Sequence, residues 1–163
     1  MPRRLPRSLA AVAALLAFAS AAFAATSAVS VTPASGSGRS PAGGSFTFVF
    51  HDDTDFHNIT AVSMDISSAS LPTACFVYLR LSDSQLYLYD PAAGFTTSVT
   101  LGDPASPVQR NTMCAVDPAR SSVSGSGADL TVHLAVAFEA TLAVNHPGTY
   151  DVQMLPYPTA PAG

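Results

Sequence analysis

The sequence predicts an all-β protein, an antiparallel β-sandwich of about eight to nine strands behind a cleaved leader peptide. Three observations point there. Beyond residue 24, apolar side chains recur with period two, and no stretch sustains the 3.6-residue period of a helix. The alternating runs are short and are separated by clusters of Gly, Pro, Ser and Asp, with thirteen prolines in the 163-residue chain. The chain opens on Arg3, Arg4 and Arg7, then an apolar run from Leu9 to Phe23 and the small-residue pattern Ala22-Phe23-Ala24, the layout of a secretory signal peptide cut after Ala24. The run is shorter than the ~20 residues needed to span a bilayer, so no membrane anchor is expected after cleavage. Leu5-Pro6-Arg7 fits a twin-arginine leader poorly.

Taken in order, residues 25–44 hold a short Val29, Val31 alternation and then Pro33-Ala34-Ser35-Gly36-Ser37-Gly38, read as an edge strand followed by a flexible loop. Phe46, Phe48 and Phe50 alternate with Ser45, Thr47 and Val49 in a half-buried strand. After a loop from Asp52 to His57, a third strand sets Val62, Met64 and Ile66 against Ala61, Ser63 and Asp65. Pro72 closes the next connection.

The stretch Cys75 to Asp90 reads as a β-hairpin with its turn centred on Asp83 and Ser84. That register places Leu81 opposite Leu86, Leu79 opposite Leu88, Arg80 opposite Tyr87 and Tyr78 opposite Tyr89. One side is then an aliphatic wall carrying Cys75, the other an aromatic stripe with one cation.

A short strand is expected near Thr97 to Leu101, then a Pro-rich loop, then a segment around Cys114. The small residues Ser121 to Gly127 suit a tight turn or bulge. They precede the longest alternation, Leu130, Val132, Leu134, Val136 and Phe138 facing inward. Gly148 to Leu155 forms the last strand, and Pro156, Pro158 and Pro161 predict a loose tail over 156–163. The domain is thus expected over 25–155.

Cys75 and Cys114 both follow the cleavage site, so in an exported chain they read as one disulfide closing a loop of 39 residues. Such a closure contributes about 4 kcal/mol in the loop-entropy account. The leader removes three of the seven basic residues. Four arginines, no lysine and eleven acids remain, a formal charge of −7. Nucleic acid, which needs clustered Lys and Arg, is not an expected partner.

Two groups of residues are candidate sites. Phe76, Tyr78, Arg80, Tyr87 and Tyr89 could bind a ligand, sugar rings stacking on the aromatics while Arg80, Asp83 and Gln85 meet hydroxyls; cross-strand support of the ribbon is the simpler role. Asp52, Asp53 and Asp55 are the candidate calcium ligands, although the spacing lacks the glycine and distal glutamate of an EF-hand loop. His51 and His57 flank that loop and would suit a transition metal. No nucleophile-elbow pattern occurs, and Asn58-Ile59-Thr60 is a glycosylation sequon only in a eukaryotic secretory pathway.

The ordered set Ala74-Cys75-Phe76-Val77-Tyr78, Leu86-Tyr87-Leu88, Cys114 and Ser121 to Gly127 leading into Leu130-Thr131-Val132 resembles an uncharacterised module of bacterial extracellular proteins found beside fibronectin-type domains. The likeness runs from about residue 28 to 155. It implies an immunoglobulin-like or fibronectin-III-like sandwich with Cys75 and Cys114 paired and without catalytic residues. Pro147-Gly148-Thr149-Tyr150 is similar to the turn and tyrosine that open the penultimate strand of such domains, and no Trp is present to pack on a disulfide. Another strand is expected after Tyr150, so the last sheet edge is either poorly closed or open to a partner strand.

The expected function is that of a secreted, noncatalytic structural or adhesive module contacting an extracellular protein, in the periplasm, at the cell surface or outside the cell. The alternative is a domain binding a polysaccharide or calcium.

Overall fold

The computed structural model describes residues 25–37, 44–68, 71–139 and 149–159. The segment read as a leader, residues 1–24, the Pro147-Gly148 pair read as a turn and the last four residues lie outside them. Phe46, Phe48 and Phe50 of β3 (Gly44–Asp52) point inward and are at most 6% exposed, as the alternation predicts. β11 (Asp129–Phe138) lies antiparallel beside it, with Leu130, Val132 and Leu134 opposite Phe50, Phe48 and Phe46. On β11's other side runs β10 (Cys114–Ser126), flanked by the two-residue β9 (Gln109–Arg110). β1 (Thr26–Thr32) pairs with the free side of β3. The first sheet is therefore β1-β3-β11-β10-β9.

The second sheet is built from β2 (Ser35–Ser37), β4 (Ile59–Ser68), β5 (Leu71–Arg80), β6 (Gln85–Asp90), β7 (Gly94–Phe95) and β12 (Thr149–Pro158), in the order β2-β12-β4-β5-β6-β7. β8 (Val99–Thr100) also pairs with β6. Its inner face presents Val62, Met64 and Ile66, then Cys75, Val77 and Leu79, then Leu86 and Leu88, all buried. These close on the first sheet's Phe, Leu and Val residues to form one core, each large side chain contributing about 1.5–3 kcal/mol by leaving water. All pairings are antiparallel, so the all-β antiparallel sandwich holds.

Cys75 of β5 and Cys114 of β10 form a disulfide, with Cα atoms 5.8 Å apart and both residues buried. It joins one sheet to the other, so the 39-residue separation spans the chain's crossing between layers.

Four local expectations change. The segment after Pro33 is not all loop: the chain switches sheets there, and β2 pairs Ser35, Gly36 and Ser37 with Asp151, Tyr150 and Thr149. β2 thereby occupies part of the flank of β12 where a further strand would lie.

The hairpin register differs by two residues, with Leu79 opposite Leu86, Tyr78 opposite Tyr87 and Arg80 opposite Gln85. Leu81 leaves the ribbon because its N–H donates to Thr60 O at 2.9 Å. The turn becomes Leu81 to Ser84, with Ser84 at φ 54° and Arg80 forked onto Asp83. A slip of two preserves which face each side chain takes, so the aliphatic and aromatic sides stand.

Residues 121–126 belong to β10 rather than to a turn. The irregularity falls between Asp117 and Ser122, where Ser121 Oγ donates to Asp117 O at 2.7 Å and accepts from Ala135 N at 2.9 Å. The reversal is Gly127-Ala128, and Gly127 has φ +60°, a conformation glycine adopts without a Cβ penalty.

Finally, β12 continues through Pro156 and Pro158 instead of ending at Leu155. Val152 N–H points away from β4, to Ala34 O at 3.1 Å. Pro156 shares that parity, so the donor it lacks would have faced the sheet edge rather than the ladder; Pro158 stands just past a register shift at the strand's end.

Candidate functional site

The outer face of the second sheet gathers aromatic residues from four strands. β5 supplies Phe76 and Tyr78, β6 supplies Tyr87 and Tyr89, β7 supplies Phe95 and β12 supplies Tyr157. Phe95 stands among four rings, with centroids 6.1 Å from Phe76, 6.4 Å from Tyr78, 6.2 Å from Tyr87 and 5.4 Å from Tyr89. Tyr78 also meets Tyr87 at 6.1 Å and Tyr157 at 5.9 Å. The interplanar angles of these six contacts run from 54° to 80°, so the rings pack mostly edge to face on one another. They do not form one flat platform.

Between Tyr157 and Tyr78 lies β4, whose outward residues Ala61, Ser63, Asp65 and Ser67 are small. Ser63 Oγ lies 3.4 Å from Tyr157 Oη. Leu155 stands opposite Ser63, and Gln153 and Phe76 flank Asp65 from the two sides. Asp65 is half-buried, its Oδ1 is enclosed without a hydrogen-bond partner, and burial pushes its carboxyl up to about 6.

Arg80 sits at the end of this face, 5.7 Å over the Tyr87 ring, with Nε and Nη2 donating to both Asp83 oxygens at 2.8 and 2.6 Å. Donating to Asp83 raises the guanidinium above its ordinary value, and accepting from Arg80 lowers the Asp83 carboxyl. The residues expected from sequence thus do share a face, but Arg80 is already engaged.

The acidic loop has a different character. Asp52 is buried, and its Oδ1 accepts from Thr54 N at 3.0 Å, Thr54 Oγ1 at 2.7 Å, Asp55 N at 3.0 Å and Asn58 Nδ2 at 3.0 Å. Those bonds, the Asn58 amide first, hold its carboxyl well below the usual range despite burial. Asp53 accepts from Ala25 N at 3.1 Å. Asp55 accepts from His57 N at 2.9 Å and faces His57 Nδ1 at 2.6 Å, and these bonds lower its carboxyl.

His51 Nδ1 lies 2.7 Å from Asp129, whose hydrogen bond raises the imidazole. The three aspartates therefore turn to separate partners, shaping the loop and the one-turn 3₁₀ helix Phe56–Asn58. Among the described residues, no three or more His, Cys, Asp or Glu side chains are grouped to hold a metal ion. Asn58, the sequon residue, is bound to Asp52 and to Thr54 Oγ1 at 2.6 Å.

An open cleft of about 500 Å³ lies at this end of the sandwich, lined by Phe56, Ile59, Tyr78, Arg80, Val123 and Leu130 among others. It adjoins the aromatic face through Tyr78 and Arg80.

Sequence reading missed Phe95, Tyr157, Leu155 and Asp65 as members of the face, and Asn111 as a structural centre. Asn111 Nδ2 donates to Ala74 O and Tyr89 O, at 3.3 and 2.8 Å, while its Oδ1 accepts from Met113 N and Cys114 N at 2.8 and 2.7 Å. Its only sequence signal is an Asn three residues before a cysteine. Comparison with protein-family models, with curated proteins and with solved structures finds no match.

Proposed function

We propose that this chain is an exported, noncatalytic interaction module that holds an extracellular partner protein on the outer face of its second sheet. The carrying observation is that Phe95, Leu155 and Tyr157 remain 53%, 54% and 38% exposed beside four further rings. The water-facing side of an antiparallel sheet is ordinarily polar, and a contiguous apolar patch rimmed by polar groups marks an interaction site. Tyr, Phe and Arg are the residue types that dominate such surfaces. Export is supported by the leader pattern and by a disulfide, which persists in oxidising compartments.

The test is cross-linking and capture from the extracellular fraction with the protein, with Phe95→Ser/Leu155→Ser, and with Val29→Ser as a control on the first sheet. The expected result is one set of partners lost only in the double variant. Capture unchanged by the double variant sinks the proposal. Binding to a polysaccharide that disappears in Tyr78→Ala and Tyr87→Ala would replace the protein partner with a carbohydrate.

A further inference from the structure

Asp65 is the anomalous residue of the aromatic face. A half-buried carboxylate is normally hydrogen-bonded or paired, yet Asp65 Oδ1 is enclosed and has no donor. Its neighbours across the strands, Phe76 and Gln153, leave it unpaired. The cation on this face, Arg80, is bound bidentately to Asp83. Among the described residues the other two arginines belong to the first sheet, Arg110 paired with Glu139 at 2.6 Å and Arg120 on β10; Arg39 lies outside the described residues, and the chain has no lysine.

Asp151 stands on the same side of β12, opposite Ser67 and diagonal to Asp65, adding negative charge. Phe76 is directly beside Asp65, Tyr78 stands opposite Ser63 one step along that face of β4, and Tyr157, opposite Ala61, brings its hydroxyl within 3.4 Å of Ser63 Oγ. Aromatic faces attract cations, and the exported chain carries a formal charge of −7. Oδ1 itself is closed to solvent, so an ammonium or guanidinium would meet the half-buried carboxyl from its open side, drawn by the charge, the neighbouring rings and the acidic protein.

We infer that Asp65 anchors a site for a lysine or arginine side chain of the partner protein, seated over β4 among Phe76, Tyr78 and Tyr157. This rests on the reading of the outer face as the interaction surface and names what that surface selects.

Titration of the purified protein with a short acetylated, amidated Gly-Arg-Gly-Lys-Gly peptide, followed by NMR at the Asp65 carboxyl carbon and the Phe76 and Tyr78 rings, tests it. A control peptide carries citrulline and norleucine instead. The cationic peptide is expected to give saturable shifts at these groups, with affinity at least about tenfold above the control and reduced about tenfold by Asp65→Asn, which preserves shape while removing charge. Tyr78→Leu is expected to weaken it by about threefold. Absence of saturable shifts, equal response to the two peptides, or undiminished binding by Asp65→Asn overturns the inference. Partner capture that survives Asp65→Asn but is lost in Phe95→Ser/Leu155→Ser refutes this site while leaving the interaction face standing. Capture unaffected by either variant removes the face itself.

Discussion

Asp65 illustrates how one side chain links stability to pH. Burial raises its folded carboxyl from the ordinary value near 3.8 to about 6, so the folded state favours the protonated form. The stability contributed by that form is fully present below about pH 4 and is lost as pH rises through about 6. Asp65→Asn stays neutral and keeps it. The variant is expected to match the parent near pH 4 and to exceed it by about 1 kcal/mol at pH 7, a figure discounted for the half of the side chain that water screens. Urea unfolding at both pH values measures this; an equal difference at the two would refute it. Retaining a carboxylate that weakens the fold is intelligible where binding uses it.

Asn111 works in the opposite sense. It ties the turn before Cys114 to the backbones of β5 and β6 through four hydrogen bonds, with 9% exposure. Asn111→Ala leaves those backbone groups unsatisfied and is expected to cost about 2–3 kcal/mol, read as a lowered urea midpoint with unchanged m-value. Asn111→Asp keeps the acceptor for Met113 and Cys114 but sets a carboxylate oxygen against the carbonyls of Ala74 and Tyr89, and at neutral pH it is expected to cost at least as much as alanine.

Among the elements, β12 shows how prolines can serve a strand. Pro156 places a missing donor on the edge that β2 leaves uncovered, and Pro158 sits at the irregular end of the strand. Proline there blunts strand addition, which argues against a partner strand docking along this edge. Pro156→Thr/Pro158→Thr is expected to increase self-association, detectable by light scattering over days at millimolar concentration, while the single-domain melt remains cooperative. No change in association would show that the edge is protected by other means.

The β10–β11 hairpin carries a second element-scale constraint. The Phe56 ring lies against Gly125, so closely that a Cβ there would overlap three ring carbons. Gly125→Ala is expected to cost about 1–3 kcal/mol through displacement of the ring, and adding Phe56→Ala should recover part of it by thermal melting. The small residues over 121–127 read as a turn from sequence, but their smallness makes room for a side chain from the 3₁₀ turn as well as for Gly127's reversal.

For the whole molecule, the decisive covalent link is Cys75–Cys114, which crosses from β5 to β10 and so ties the two sheets together. Reduction, or Cys75→Ala/Cys114→Ala, is expected to cost about 4 kcal/mol by loop closure alone. Differential scanning calorimetry with and without reductant checks it, and a melt insensitive to reductant would contradict the bond's contribution. The aromatic face should persist in the double variant where the domain still folds, because its rings pack on one another outside the core.

How much was legible follows from which interactions are local. Phe76, Tyr78, Tyr87 and Tyr89 could be assigned to one face because alternation is a property of each strand alone, and a two-residue error in the turn left the faces unchanged. Tyr157 was also within reach: the inward set Tyr150, Val152 and Met154 continues in step through Pro156, which puts Tyr157 outward. Pro156 obscured this because proline is normally a strand breaker, and its tolerance depends on which neighbour β12 lacks.

The sequence by itself determined the strand content, the inward and outward faces and the pairing of two cysteines, since backbone stereochemistry imposes period two on any extended run and the chain's two thiols have one mutual partner. Only the tertiary structure decided which strands lie side by side, that Phe95, Leu155 and Tyr157 join the aromatic residues, that the acidic loop is occupied with its own hydrogen bonds, and that Asp65 is left without a donor. Those facts depend on contacts between segments that include ones more than a hundred residues apart, and no local pattern records the free energy of contacts made at that distance.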